Sequence, residues 1–316
     1  MSSSRYLITG ATGGLGSEIL STLLKLVPAS QIIAGSSRAK ESTLSTAAGT
    51  VELRQTDYSN LADLETAFQD VDYLFFVSSP IVDTATRMRG HANVVSAAKA
   101  AGVKHVWYSS LAFGGLGHTD NLLQQAHLQT EELLKNSGLV WTSVREGIYA
   151  DAFPCFLTWF PTNPNQVLVL PESAKEGRWA YATRAELGEA TAKLMFKAGH
   201  ENEIVLLSGP VAYPILDLVP IINKVTGRNV TVKLVDDEEY VRWNVEHDEG
   251  GKSEQLFRVW LSIFKSAAKG EAEHVHPLME EILGRRPKDG KQFVEEVLKE
   301  DPNYTWHQNY AKNLSH

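Results

Sequence analysis

Residues 9–16 read TGATGGLG; they follow the apolar run 6–9 and lead into a segment whose apolar residues, Leu15, Ile19, Leu23 and Leu24, recur at helical spacing. Glycine at positions 10, 13 and 16 lets a strand turn tightly into a helix and lets backbone approach a pyrophosphate closely. The unpaired N–H groups and the dipole at the helix start favour that anion. Gly10, Thr12, Gly13, Gly14, Leu15 and Gly16 are therefore the expected phosphate-binding residues. A chain that opens with strand, glycine turn and helix is then constrained to continue as a parallel, helix-covered sheet.

The rest of the first half keeps to that pattern. Strands are expected at 32–35, 51–56, 73–78, 106–109 and 141–145, separated by helical patterns at 61–68, 85–101 and 122–137. Pro28, Gly102 and Gly138 fall where helices should stop. Beyond residue 150 the stretch ADAFPCFLTWFPTNPNQ cannot be one straight helix, because Pro154 and Pro161 interrupt it. Thr183 and Glu186 form a capping-box pattern opening another helix, and a last strand is expected at 204–207. From Pro214 onward helices should dominate, with 247–252, HDEGGK, as a loop before an amphipathic block. The fold class expected is α/β: a Rossmann-type doubly wound parallel sheet formed by residues 1–157 and 180–212, with a smaller, mostly helical substrate domain formed by 158–179 and 213–316.

The second strand ends AGSSRAKE, with Ser36, Ser37, Arg38 and Lys40 where an NAD site would present a carboxylate to the ribose hydroxyls. A carboxylate would repel a 2′-phosphate, whereas Arg38, Lys40 and the adjacent hydroxyls would bind one, so NADPH is expected over NADH. Solvated loop cations are the plain alternative. Asp57 and Tyr58 would meet the adenine, or Asp57 would cap the helix beginning near Leu61. Val77, Ser78, Ser79 and Pro80 end the fourth expected strand, where an open sheet places its ligand.

Composition narrows the partners. A formal net charge of −8 leaves no broad basic face for nucleic acid, and apolar runs such as YLFFV are too short to span a bilayer. Cys155 is the only cysteine, which excludes an intramolecular disulfide and a cysteine-based metal site. His200, His247, His274 and His276 lack metal-ligand spacing, so no metal is expected. The expectation is a cytoplasmic protein, monomeric or homodimeric, acting on a small molecule.

The ordered set LITGATGGLG, TDYSN, VSSP at 77–80, HANVVSAAKAAGVKHVWYSSL at 91–111, REGIYADAF at 145–153, GRWAYATRAELGEATA at 177–192 and EEILGRRPK at 280–288 resembles the NmrA-like atypical short-chain dehydrogenase/reductases. The type 2 NAD(P)H:quinone oxidoreductase branch is the nearest in pattern. In catalytic members of the wider superfamily, a serine after the fifth strand works with a tyrosine and a lysine four residues later on the next helix. Ser109 and Ser110 stand at the serine position, but the helix carries His127 and Glu131 in place of the pair.

That departure constrains the substrate. Hydride reduction of a ketone makes a strongly basic alkoxide that needs a positioned acid, whereas a quinone gives a much less basic phenolate. The resemblance therefore implies an NADPH-dependent reductase of quinones or similar flat conjugated acceptors. Leu123, His127, Thr130 or Glu131, and Leu134 share an inward stripe, which leaves three roles for the pair. Glu131 could be satisfied structurally by His127, Arg145 or backbone; one of the two could touch the nicotinamide ribose or carboxamide; or His127 could act as proton donor with its pKa raised by Glu131. Tyr149 is implied to face the substrate, and Phe153, Phe156, Trp159 and Phe160 could wall a flat pocket or fill a core. Two other readings stay open: a non-catalytic NADP(H)-binding redox sensor with a protein partner, and a ketone reductase using His127 or Tyr149 as the acid.

Overall fold

The computed structural model describes residues 4–81, 83–117, 119, 121–197 and 199–310. In chain order the first part comprises β1 (Tyr6–Ile8), α1 (Gly14–Leu26), β2 (Ile32–Ser36), β3 (Thr43–Thr46), β4 (Gly49–Gln55), α2 (Leu61–Ala67), β5 (Tyr73–Phe76), α3 (Thr84–Ala100), β6 (His105–Leu111), α4 (Leu122–Lys135) and β7 (Trp141–Glu146). Then follow α5 (Phe153–Phe156), β8 (Val167–Pro171), β9 (Arg178–Trp179), α6 (Arg184–Lys197), β10 (Glu203–Leu207), β11 (Tyr213–Pro214), α7 (Val219–Thr226), β12 (Thr231–Val235), α8 (Asp237–His247), α9 (Glu254–Ala268), α10 (Leu278–Leu283) and α11 (Gly290–Glu300).

The large sheet has the order β10-β7-β6-β5-β1-β2-β4-β3. Its strands are parallel except β3, which pairs antiparallel with β4. The chain grows outward from β1 in one direction and from β5 in the other, so the switch point, where such sheets bind ligand, lies between β1 and β5. Strand β3 carries the exposed, polar TLST at the sheet edge, which is why its apolar pattern gave no signal.

Side chains fix where the helices begin. Asn60, Asp83 and Asn121 cap α2, α3 and α4 by accepting from backbone N–H groups of the first turn. Of the Thr183–Glu186 capping-box pattern the threonine half forms: Thr183 Oγ1 accepts from Glu186 N at 3.3 Å, while the Glu186 carboxylate accepts from the Thr183 hydroxyl at 3.1 Å and from Lys288 N. Helices α1 and α6 cover one face of the sheet around Ile8, Phe75, Trp107 and Val144. Helices α2, α3 and α4 cover the other around Leu7, Leu74, Phe76 and Tyr108.

A third core, including Phe153, Trp159, Trp179, Tyr240, Phe257 and Phe264, belongs to the second lobe. That lobe is not helical alone: β8 pairs in parallel with β12, and β9 antiparallel with β11. Lys252, in the loop expected at 247–252, is buried and ion-paired to Asp248 at 2.5 Å. Among the described residues no helix is long and apolar enough to cross a membrane, and no cluster of metal-ligating side chains forms.

Candidate active site

The glycine turn lies at the end of β1. Gly10 takes φ +61°, the left-handed region, and its carbonyl accepts from Gly13 N at 2.9 Å. A side chain on Gly16 would overlap the Gly10 carbonyl, so the turn closes only with glycine there. Gly13 caps α1 without any side-chain hydrogen bond, leaving the first helical N–H groups for another acceptor. Leu15 is buried beneath the turn.

At the end of β2, Ser36 Oγ accepts from Arg38 N at 3.2 Å and lies 3.3 Å from Thr12 Oγ1, which joins the turn to the next loop. Ser37, Arg38 and Lys40 are exposed, and the side chains of Arg38 and Lys40 have no ion-pair partner among the described residues. Asp57 Oδ1 accepts from Ser59 N and Oγ, so Asn60, not Asp57, caps α2. The Tyr58 hydroxyl donates to Val77 O at 2.7 Å and contacts Thr9 Oγ1 at 2.6 Å, tying β1 to the strand beside it.

The segment 77–80 runs along the switch point. Val77 packs over Gly10, and Val77 N donates to Thr9 Oγ1 at 2.9 Å. Ser78 N donates to Ser109 Oγ at 2.8 Å; Ser79 N donates to His91 Nε2 at 3.1 Å; Pro80 is exposed. Sequence reasoning missed Arg87, a buried guanidinium on α3 that donates to Ser78 Oγ at 2.5 Å and lies 2.7 Å from His127 Nε2. Arg87, Leu123 and Ala126 help line a cavity of about 730 Å³ between α3, α4 and α9.

His127 does not behave as an acid raised by Glu131. Burial, and then the Arg87 charge, push its pKa well below the usual histidine value. Arg87 can only donate to Nε2, so Nδ1 carries the single ring proton and points to the Tyr108 hydroxyl 2.9 Å away. The imidazole is neutral. Nor does Glu131 reach the cofactor side: it is 2% exposed, and both oxygens are taken by Arg145, at 3.0 Å from Nε and 2.7 Å from Nη2. Ser110 and Ser143 add hydrogen bonds of 2.8 Å to Oε1. The structural role, left open by sequence, is the one that the geometry fills.

On the opposite face of β7, Tyr149 is half-buried, with its hydroxyl 2.6 Å from Glu146 Oε2. Nearby, Arg184 at the start of α6 pairs with Asp151 at 3.2 Å and lies under the Trp306 ring, 4.2 Å from its centroid. The Arg184 guanidinium occupies the space that a side chain on Gly14 would take, so this cation sits on the glycine turn. No motif predicts it, because it arrives from a helix that sequence places 170 positions later than the turn it covers.

The aromatic wall is largely core. Phe153 and Trp159 stack on each other with ring centroids 5.7 Å apart, and both are fully enclosed, as is Phe160 apart from 2% of its surface. Phe153 also stacks on Tyr304, and Arg228 covers Trp159. Only Phe156 stays half-buried, edge-on to Trp179 and Trp260.

Residues 2–259 match the NmrA-like family. The chain belongs to that family. An NmrA-like family domain-containing oxidoreductase of Aspergillus flavus is 44% identical over 98% of this chain and 99% of the relative, and the present chain is likewise an oxidoreductase. Quinone oxidoreductase 2 of Escherichia coli is 36% identical over 74% of this chain and 78% of its own length. The solved triphenylmethane reductase of Citrobacter sp., complexed with NADP(H), superposes with a TM-score of 0.80 at 32% identity, covering 93% of this NmrA-like chain and all of the other.

Proposed function

We propose that the protein binds NADPH along the carboxyl edge of the sheet and reduces a quinone or a similar flat, conjugated acceptor. The observation that carries this reading is the pairing of a glycine turn that no side chain caps with the exposed cations Arg38 and Lys40, which have no ion-pair partner among the described residues, on the adjoining loop. These residues fit the cofactor. Backbone N–H groups at Gly14 and Leu15, with Arg184 above them, would hold a diphosphate; Arg38, Lys40 and Ser37 would hold a 2′-phosphate. When bound, the dihydronicotinamide supplies a hydride.

The α4 side of the site narrows the acceptor. Neutral His127 is fixed between Arg87 and Tyr108, and Glu131 is closed off by Arg145, so α4 offers no acid matched to an alkoxide. A phenolate product makes a weaker demand. Relatives named for quinone and triphenylmethane reduction support the same class of acceptor. The test is loss of NADPH absorbance with purified protein and a panel of benzoquinones, naphthoquinones and ketones. Turnover with quinones and not with ketones is expected. Tight NADPH binding without turnover on any acceptor would replace this reading with a redox sensor.

A further inference from the structure

Reduction of a quinone by hydride still requires one proton, and α4 does not supply it. Glu146 and Tyr149 are an ionisable pair at the same edge of the sheet, and Glu146 has no part in the hydride-transfer reading above. Glu146 ends β7; its neighbour Arg145 turns to Glu131, so Glu146 turns to the opposite face. There it is 0% exposed. Its Oε2 meets the Tyr149 hydroxyl at 2.6 Å, and its Oε1 has no hydrogen-bond partner among the described residues.

A buried carboxylate ordinarily gathers several donors or a cation. Glu146 has one donor and no ion pair among the described residues. Enclosure accordingly pushes its pKa up to about 8. The charged groups around the pair are Arg184 from α6 and Asp151 from the turn after Tyr149, and both act on the tyrosine. They are themselves paired at 3.2 Å. Tyr149, half-buried, borders the Arg184 guanidinium that covers the glycine turn and faces Trp306 edge-on. The tyrosine therefore stands between an enclosed acid and the arginine that covers the glycine turn.

We propose that Glu146 and Tyr149 form a proton relay that protonates the reduced acceptor, with Tyr149 as the donor and Glu146 as its proton store. This rests on the hydride-transfer reading above. With Glu146 protonated, the 2.6 Å contact runs from carboxyl O–H to the phenol oxygen and frees the phenolic hydrogen. The acceptor, already reduced by two electrons, takes the Tyr149 proton on its oxyanion. The Glu146 O–H bond breaks as its proton moves to Tyr149 Oη, and the negative charge rests on Glu146 until a solvent proton replaces it. The tyrosine ends as it began. Hydride and one proton together convert a quinone to a hydroquinone, so the step balances.

Glu146→Gln keeps the contact with Tyr149 and removes the transferable proton. Two measurements test the relay on the full chain. In the NADP⁺ complex, ¹³C-labelled glutamate carboxyls should show one signal titrating well above the usual range, absent from the Gln variant. In single turnovers with NADPH and 1,4-benzoquinone, the native rate should fall as pH rises through the same region, while the Gln variant should be roughly 100-fold slower and flat there. Tyr149→Phe should lose about as much, and the double variant no more, as expected of residues acting as a unit. An ordinary carboxyl titration, or a pH break that survives in Glu146→Gln, would overturn the relay. If the native protein oxidises NADPH with none of the acceptors, the hydride reading fails and the relay falls with it; the carboxyl titration, which needs no turnover, tells that case apart.

Discussion

Arg145 holds Glu131 by two parallel contacts, 3.0 Å from Nε to Oε1 and 2.7 Å from Nη2 to Oε2, so the carboxylate one turn beyond His127 is closed to the imidazole. The free Nη1 of Arg145 extends the arrangement, donating to Gly115 O at 2.8 Å and Gly117 O at 2.9 Å. An ion pair thus fastens α4 to β7 and to the loop after β6. Both side chains are only 3% exposed, so losing one partner leaves a buried charge. Arg145→Met should cost about 3–5 kcal/mol in urea unfolding. Replacing Glu131 and Arg145 together by apolar residues should cost less than that single change, and a double variant at least as unstable would refute the argument.

His127→Ala tests the same region from the catalytic side. Since the ring is neutral and its pKa lies well below the usual value, its removal should slow hydride transfer to a quinone by less than about 100-fold. Arg87 loses a neutral partner in that variant, so a fall in stability is expected and must be measured separately. A larger loss in single turnovers by a folded, NADPH-binding variant would restore His127 as an acid.

The parallel strands and their helices were legible because burial on both faces writes apolar runs and helical spacing into the sequence. Glycine positions 10, 13 and 16 were legible for a local reason, the sterics of one turn. Strands β8 and β12 were not, since their pairing joins segments some 60 residues apart and depends on contacts, not on local pattern. The site divides in the same way. Ser78 and Ser109 follow from their places at strand ends, but Arg87, Glu146 and Arg184 gain meaning only from what folding brings beside them. His127 and Glu131 sit one helical turn apart, yet the chain gives each a different partner.

Arg38 and Arg184 should be separable by cofactor. Arg38→Ala should weaken NADPH by about 10- to 100-fold, the worth of one or two charge-assisted hydrogen bonds, and leave NADH nearly unchanged. Arg184→Met should weaken both cofactors alike, because the diphosphate beside Gly14 is common to them. Titrations of intrinsic fluorescence against each cofactor give the four ratios. Equal losses for NADPH and NADH in Arg38→Ala would dismiss the 2′-phosphate assignment.

Stability should fall on both sides of neutrality, for opposite reasons. Burial lowers the pKa of His91 to about 3 and of His105 to about 4, and places His127 well below its usual value. Each folded pKa is depressed, so their contribution is complete above the unfolded value of 6.5 and is lost as pH falls through the acid range. Each histidine that must stay neutral adds a slope of up to about 1.4 kcal/mol per pH unit. Glu146 acts the other way: its folded pKa is raised from 4.5 to about 8, so its contribution is present below pH 4.5 and is lost as pH rises towards 8. Urea unfolding from pH 4 to 9 should show a steep acid limb and a shallower alkaline one. Glu146→Gln should flatten the decline above pH 6.5 and steepen the rise between pH 4.5 and 6.5, where the native carboxyl opposes the histidines, and equal pH dependence in both proteins would mean that Glu146 is already ionised at neutrality.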